Sequence, residues 1–124
     1  MKHNTQQREA ILKCLKSARG PLSPREILEA AGREVPGLGV ATVYRNLKLL
    51  VREGLATEIV LPGQGSRYEI SGLAHHHHFQ CRDCRMVFCL EGCSKGIDSL
   101  APAGFILEEH DIVLYGRCAE CSHG

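Results

Sequence analysis

Apolar residues recur along the first half of the chain with the period of a helix, three times over. Ile11, Cys14, Leu15 and Ala18 fall at i, i+3, i+4 and i+7, predicting a helix over about Gln6–Ala18, capped by Thr5 and ended by Gly20. Cys14 lies on that stripe and reads as a core residue, not a ligand. Ser23-Pro24-Arg25-Glu26 has the form of a capping box with proline at the first helical position. A second helix opens there, buries Ile27, Leu28 and Ala31, and stops at Gly32. Beyond the loop Glu34–Gly39, a third helix is predicted over about Ala41–Glu53. At about 100° per residue, Val43, Leu47 and Leu50 share one narrow face that must pack inward. Tyr44, Arg45, Lys48 and Arg52 fall in an adjoining arc on the solvent side.

The period then changes to that of strands. Ala56–Leu61 and Arg67–Ile70 read as two strands joined by the turn residues Pro62-Gly63-Gln64-Gly65-Ser66. Three helices and a hairpin, in that order, is the plan of a winged helix-turn-helix, whose third helix is the one presented to DNA. Most surface charge is only a solvated face. A Tyr/Arg/Lys/Arg arc on that particular helix suits the major groove, where arginine pairs with guanine and other cations hold phosphates. Further on, Phe79–Gln80 and Met86–Phe88 are strand-like. Gly92–Leu100 can form a short helix before Pro102, and Phe105–Leu107 and Ile112–Tyr115 are predicted strands. The expected fold class is α+β: an N-terminal winged helix followed by a small C-terminal α/β domain.

Charge divides the chain at the same place. Residues 1–71 carry eleven Lys/Arg against seven Asp/Glu, and residues 72–124 carry four against seven, within a formal net charge of +1. Six of the seven cysteines and six of the seven histidines lie in the second part. The reading is a basic domain over 1–71, a hinge at 72–74 and a metal-rich domain over 75–124. Each would bury only a marginal core alone, so metal or dimerisation is expected to supplement it. No apolar run approaches membrane-spanning length and nothing at the start resembles a secretory signal. The expected location is the cytoplasm, with no membrane partner.

Candidate chemistry is concentrated in His75-His76-His77-His78-Phe79-Gln80-Cys81-Arg82-Asp83-Cys84 and in the closing pair Cys118 and Cys121. Two C-x2-C knuckles are the sequence form of a tetrahedral zinc site, each turn aiming two sulfurs at one ion. The plainer alternative, two disulfides, conflicts with a reducing cytosol. Four cysteines fill that site, so the histidines need another use. In an extended run alternate side chains face opposite ways. His75 and His77 then point to one side and His76 and His78 to the other, which suits two further metal sites better than one. A solvated loop or a purification tag is the plainer alternative, but tags usually sit at a terminus and this run is internal.

Together these residues resemble the ferric uptake regulator family of bacterial metalloregulators. The matching motifs are Thr5-Gln6-Gln7-Arg8, Ala41-Thr42-Val43-Tyr44-Arg45-Asn46-Leu47, Tyr68-Glu69, the His75–Cys84 run and Leu114-Tyr115-Gly116-Arg117-Cys118. The resemblance implies a homodimeric repressor that binds double-stranded DNA at a palindromic operator, with a C-terminal dimerisation domain and no small-molecule substrate. It implies a structural Zn²⁺ on Cys81, Cys84, Cys118 and Cys121. It implies a regulatory hinge site on Glu69, His76, His78 and, where the family has an acidic residue, Cys89. It implies an additional site on His75, His77 and His110, whose acidic ligand aligns near Cys93 or Glu91, with Cys93 taken as the ligand. Where many members have a histidine before the second helix, this chain has Pro21-Leu22.

The departures bear on which metal is sensed. Exchanging hard carboxylate for thiolate favours Zn²⁺ over Fe²⁺ or Mn²⁺ at a regulatory site. A zinc-sensing regulator is therefore expected ahead of an iron-sensing or peroxide-sensing one, provided Cys89 and Cys93 are ligands and not packed apolar residues. Two other classes fit less well. A small zinc hydrolase lacks a general base beside an open site. A zinc-ribbon adaptor leaves the Tyr44 face without a purpose.

Overall fold

The computed structural model describes residues 2–93 and 96–123, leaving aside the side chains of residues 2–4. It forms two compact units, one ending at Leu73 and the other beginning at Ala74. In the first, α1 (Lys2–Ser17), α2 (Pro24–Gly32) and α3 (Val40–Arg52) precede the hairpin of β1 (Ala56–Leu61) and β2 (Gly65–Ile70). The α1 helix starts before the predicted Thr5 cap, because its opening turn is polar and carries no apolar period for a sequence to reveal. The second helix begins as expected. Ser23 Oγ accepts the Glu26 N–H at 3.2 Å, and Glu26 Oε1 accepts the Ser23 N–H at 2.8 Å.

Helical stripes meet in one core. Ile11, Ile27, Val43, Leu47 and Leu50 are fully buried, with Leu15, Ala31, Ala56 and Tyr68 around them. Each such aliphatic side chain contributes about 1.5–3 kcal/mol relative to exposure. Cys14 packs against this cluster, and burial pushes its thiol above the ordinary range. The wing pairs in register from Ala56↔Ile70 to Leu61↔Gly65. Leu22, just before α2, adds a bridge to Tyr68, with N–H···O distances of 2.8 and 2.9 Å. That bridge ties the wing to the entrance of α2.

The second unit is a three-stranded sheet in the order β4–β3–β5, from β3 (His76–Cys81), β4 (Val87–Glu91) and β5 (Val113–Gly116). β3 is antiparallel to β4 and parallel to β5. Two expectations fail here. Phe105–Leu107 forms no strand, because among the described residues it has no ladder to join, whatever its β-propensity. The Gly92–Leu100 helix shrinks to one 3₁₀ turn at Ile97–Leu100, entered through Gly96 at φ 93°, while Ser94 and Lys95 lie outside the described residues. Little apolar surface is buried: Cys81 and Val87 are its fully buried hydrophobic residues among those described.

Candidate metal centres and DNA-reading face

Parallel pairing of β3 with β5 brings the two knuckles together. Cys81 ends β3, its partner Gly116 ends β5, and the Arg82 N–H donates to the Gly116 carbonyl at 2.7 Å. Cys84 follows on the turn after β3, while Cys118 caps the short α4 (Ala119–Ser122) that carries Cys121. The four sulfurs lie within 4.8 Å of one another, and Cys84 and Cys118 are 3.9 Å apart. A tetrahedron with Zn–S bonds of about 2.3 Å has edges of about 3.8 Å, so this set fits zinc. Backbone donors prepare it. The N–H groups of Cys118 and Cys84 point at Cys81 Sγ from 3.4 and 3.5 Å, holding that thiol down to about 6. Cys121 is pushed up to about 12 by its hydrogen bonds to Cys118 and Cys81. Without an ion, one thiolate shares its neighbours' protons, and a dication can replace them.

The extended His run sorts as alternation requires. His75 and His77 meet His110, from the segment before β5, and Cys93, from the segment after β4, with all four ligand atoms within 4.8 Å. His75 Nε2 lies 3.1 Å from His77 Nε2 and 3.2 Å from His110 Nε2; Cys93 Sγ lies 3.0 Å from His110 Nε2 and 3.3 Å from His77 Nε2. Tetrahedral zinc on nitrogen and sulfur has edges of about 3.3–3.6 Å by the same geometry. The donor set fits a borderline dication. The Ile112 N–H donates to His77 Nδ1 at 3.1 Å and leaves Nε2 facing the cluster. Burial, then the neighbouring His75 and His110, lowers the pKa of His77, which favours the neutral ring. With Nδ1 accepting, that ring carries its proton on Nε2, which an ion bound there would displace. Cys93 is exposed, so it is not a packed apolar residue, and Glu91 is not part of the group.

On the other face of β3, His76 and His78 stand with ring centroids 4.9 Å apart. Cys89 is the cross-strand partner of His78, and the ligand atoms of these three residues also lie within 4.8 Å. His76 Nδ1 donates to the Ala74 carbonyl at 2.8 Å. A backbone acceptor on Nδ1 fixes the tautomer that leaves Nε2 for an ion. Glu69, the remaining residue expected at this site, is buried on β2 of the first unit.

On α3, Tyr44, Arg45, Lys48 and Arg52 are exposed while Val43, Leu47 and Leu50 are buried, as the period predicts. Arg45 Nη2 donates to Thr42 Oγ1 at 3.1 Å, one turn back. Two organising residues escape sequence reasoning. Thr42 is one of them. The other is Arg67, a β2 arginine that is only 4% exposed. Its guanidinium donates to Glu26 Oε1 at 2.7 Å, to the Pro21 carbonyl at 3.0 Å and to Gln64 Oε1 at 2.9 and 3.1 Å. Burial of Arg67, Tyr68 and Glu69 in succession breaks strand alternation, so no period marked it.

The fold and the three clusters define a winged-helix protein with a metal-binding sheet domain. Residues 2–115 match the model of the ferric uptake regulator family. The chain is 32% identical to the ferric uptake regulation protein of Campylobacter upsaliensis, over 96% of this chain and 80% of that protein. It is also 32% identical to the peroxide operon regulator of Bacillus subtilis, over 95% of this chain and 83% of that one. A solved structure of a zinc-bound manganese uptake regulator is similar with a TM-score of 0.78, at 26% identity, covering 90% of this chain and 87% of the other. The chain belongs to the ferric uptake regulator family, whose members are metal-dependent, DNA-binding transcription regulators. Among the described residues no helix is long and apolar enough to cross a membrane.

Proposed function

We propose that this chain is a zinc-responsive repressor acting as a homodimer in the cytoplasm on the palindromic operators of metal-homeostasis genes. The observation that carries the choice of metal is a thiol in each regulatory group: Cys93 among three imidazoles, and Cys89 beside His76 and His78. Soft sulfur with imidazole favours zinc over iron or manganese, which prefer carboxylate and water. In this reading zinc on Cys81, Cys84, Cys118 and Cys121 is structural, and Glu69 joins His76, His78 and Cys89 at the hinge. His75, His77, Cys93 and His110 form the additional site. Tyr44 and Arg45 read bases while Lys48 and Arg52 hold phosphates.

Competition between Zn²⁺ and Fe²⁺ or Mn²⁺, read by operator gel shift, tests it. Zn²⁺ is expected to activate binding at the lowest free concentration. Cys89→Asp is expected to move that preference toward Fe²⁺ and Mn²⁺ by supplying a hard oxygen donor. An unchanged order of metals in Cys89→Asp would mean that this thiol does not choose the ion.

A further inference from the structure

The two regulatory groups differ in what water can reach. Cys89 is half-buried on β4, whereas Cys93 is exposed beyond the end of that strand. Cys84 is exposed too, but it sits among three other sulfurs. Cys93 is therefore the one accessible sulfur, among the described residues, that stands in a ring of imidazoles. Two of them, His110 and His77, hold Nε2 at 3.0 and 3.3 Å from it. The other three donors of the group are nitrogens, which mild oxidants leave intact. One ligand in four can thus be removed by two-electron oxidation without breaking the fold.

We propose that Cys93 makes the additional site oxidant-sensitive, so that a hydroperoxide discharges its ion. The inference rests on the reading that His75, His77, Cys93 and His110 hold a divalent metal. The Cys93 thiolate attacks one peroxide oxygen. An S–O bond forms as the O–O bond breaks, and sulfur loses two electrons to the peroxide. The departing hydroxide, or alkoxide from an organic hydroperoxide, takes a proton from solvent and leaves as water or alcohol, so Cys93 becomes a sulfenic acid. That product is a poor ligand, since metals bind thiolate. Three imidazoles remain, His77 buried among them, and they hold a dication less tightly than the full set. Reduction by an external thiol restores the original sulfur, so the change is reversible.

The test uses the full chain loaded with Co²⁺, whose thiolate absorption reports sulfur ligation directly. Hydrogen peroxide is added with dimedone, which traps sulfenic acids, and the modified residue is mapped by mass spectrometry. The expected result is dimedone on Cys93 ahead of Cys84 and Cys89, with Co²⁺ released in step. In Cys93→Asp the donor is an oxygen that peroxide does not oxidise. Whatever the affinity of that variant, peroxide should speed its release at least tenfold less than in the parent. Labelling that begins at Cys84 or Cys89, or Cys93 labelled with Co²⁺ retained, overturns the oxidant response and leaves the metal site standing. If His110→Ala holds Co²⁺ as tightly as the parent, the group is not where the ion binds, and both readings fall.

Discussion

At the residue scale, the grouping of these Cys and His side chains was legible because metal chemistry restricts residue type and spacing so severely. C-x2-C twice and His75–His78 in an extended run already dictate one four-sulfur site and two opposite imidazole pairs. What supports the ligands was not legible. The Ile112 N–H on His77 and the Ala74 carbonyl on His76 are backbone groups, and no sequence pattern marks a backbone group for such a role. Two outcomes are expected at this scale. Because structural zinc contributes folding free energy directly, Cys81→Ser is expected to unfold the sheet unit and yield zinc-free monomers. Size-exclusion chromatography with metal analysis checks it, and a stable zinc-free dimer would refute it. The second concerns pH. His77 has its pKa lowered in the folded state, so the unfolded chain takes up a proton first as pH falls below about 6.5. With zinc kept on the four cysteines and no ion at the His77 group, stability should then decline from that pH downward until the folded pKa is reached, and should not respond to this group above about pH 6.5. Urea midpoints measured between about pH 7 and about pH 5.5 should fall more steeply in the parent than in His77→Gln. Equal slopes would show that another group drives the decline.

At the element scale, the period decided what could be read. The α2 and α3 helices and both wing strands have one buried and one exposed side, so hydrophobicity reports their geometry. Phe105–Leu107 shows where that logic stops. β-propensity describes a residue's fit to a pleated surface, and whether a neighbouring strand exists is a property of the tertiary fold. The wing holds the other surprise. Arg67 joins three separate stretches, through the Pro21 carbonyl, Glu26 and Gln64, so it fixes the hairpin to the entrance of α2. Removing it leaves the Pro21 carbonyl and the Glu26 carboxylate short of a donor inside the fold. Arg67→Ala is expected to cost about 1–3 kcal/mol of stability. Arg67→Lys should recover less than half, because an ammonium cannot reproduce the planar fork that serves carbonyl, carboxylate and amide together. Guanidinium unfolding curves measure both. A lysine variant as stable as the parent would reduce Arg67 to a simple charge.

At the scale of the whole molecule, the charge split and the crowding of Cys and His into the second part fall close to the boundary between the two compact units, after Leu73. The sheet unit leaves Leu100, Phe105 and Ile106 exposed at 78%, 70% and 87%. Exposed large apolar side chains on a unit with so small a core agree with the expected second copy. A dimer presents two α3 helices to one duplex, so each operator half-site is read by one helix. Affinity for DNA then has two parts that mutations can separate. Arg45 lies in the first half of α3, where major-groove readers place base-contacting side chains, and its hydrogen bond to Thr42 steadies the guanidinium. Losing a bidentate arginine–guanine pair costs about 1–3 kcal/mol of discrimination per half-site. Arg52, at the end of the same helix, is the residue proposed to hold phosphate, and loss of a phosphate contact weakens all sequences alike and lowers the salt slope by roughly one unit. Arg45→Ala should therefore lower operator affinity far more than random-DNA affinity, whereas Arg52→Ala should lower both. Tyr44→Ala should follow Arg45→Ala if its ring meets a thymine methyl, as its place on the same arc allows. Both affinities are to be measured with the metal sites saturated, so that a failure of reading is not mistaken for a failure of activation. An Arg45→Ala protein with undiminished preference for its operator would move the reading surface away from α3. The exposed Tyr44–Arg52 arc would then be a solvated face and nothing more.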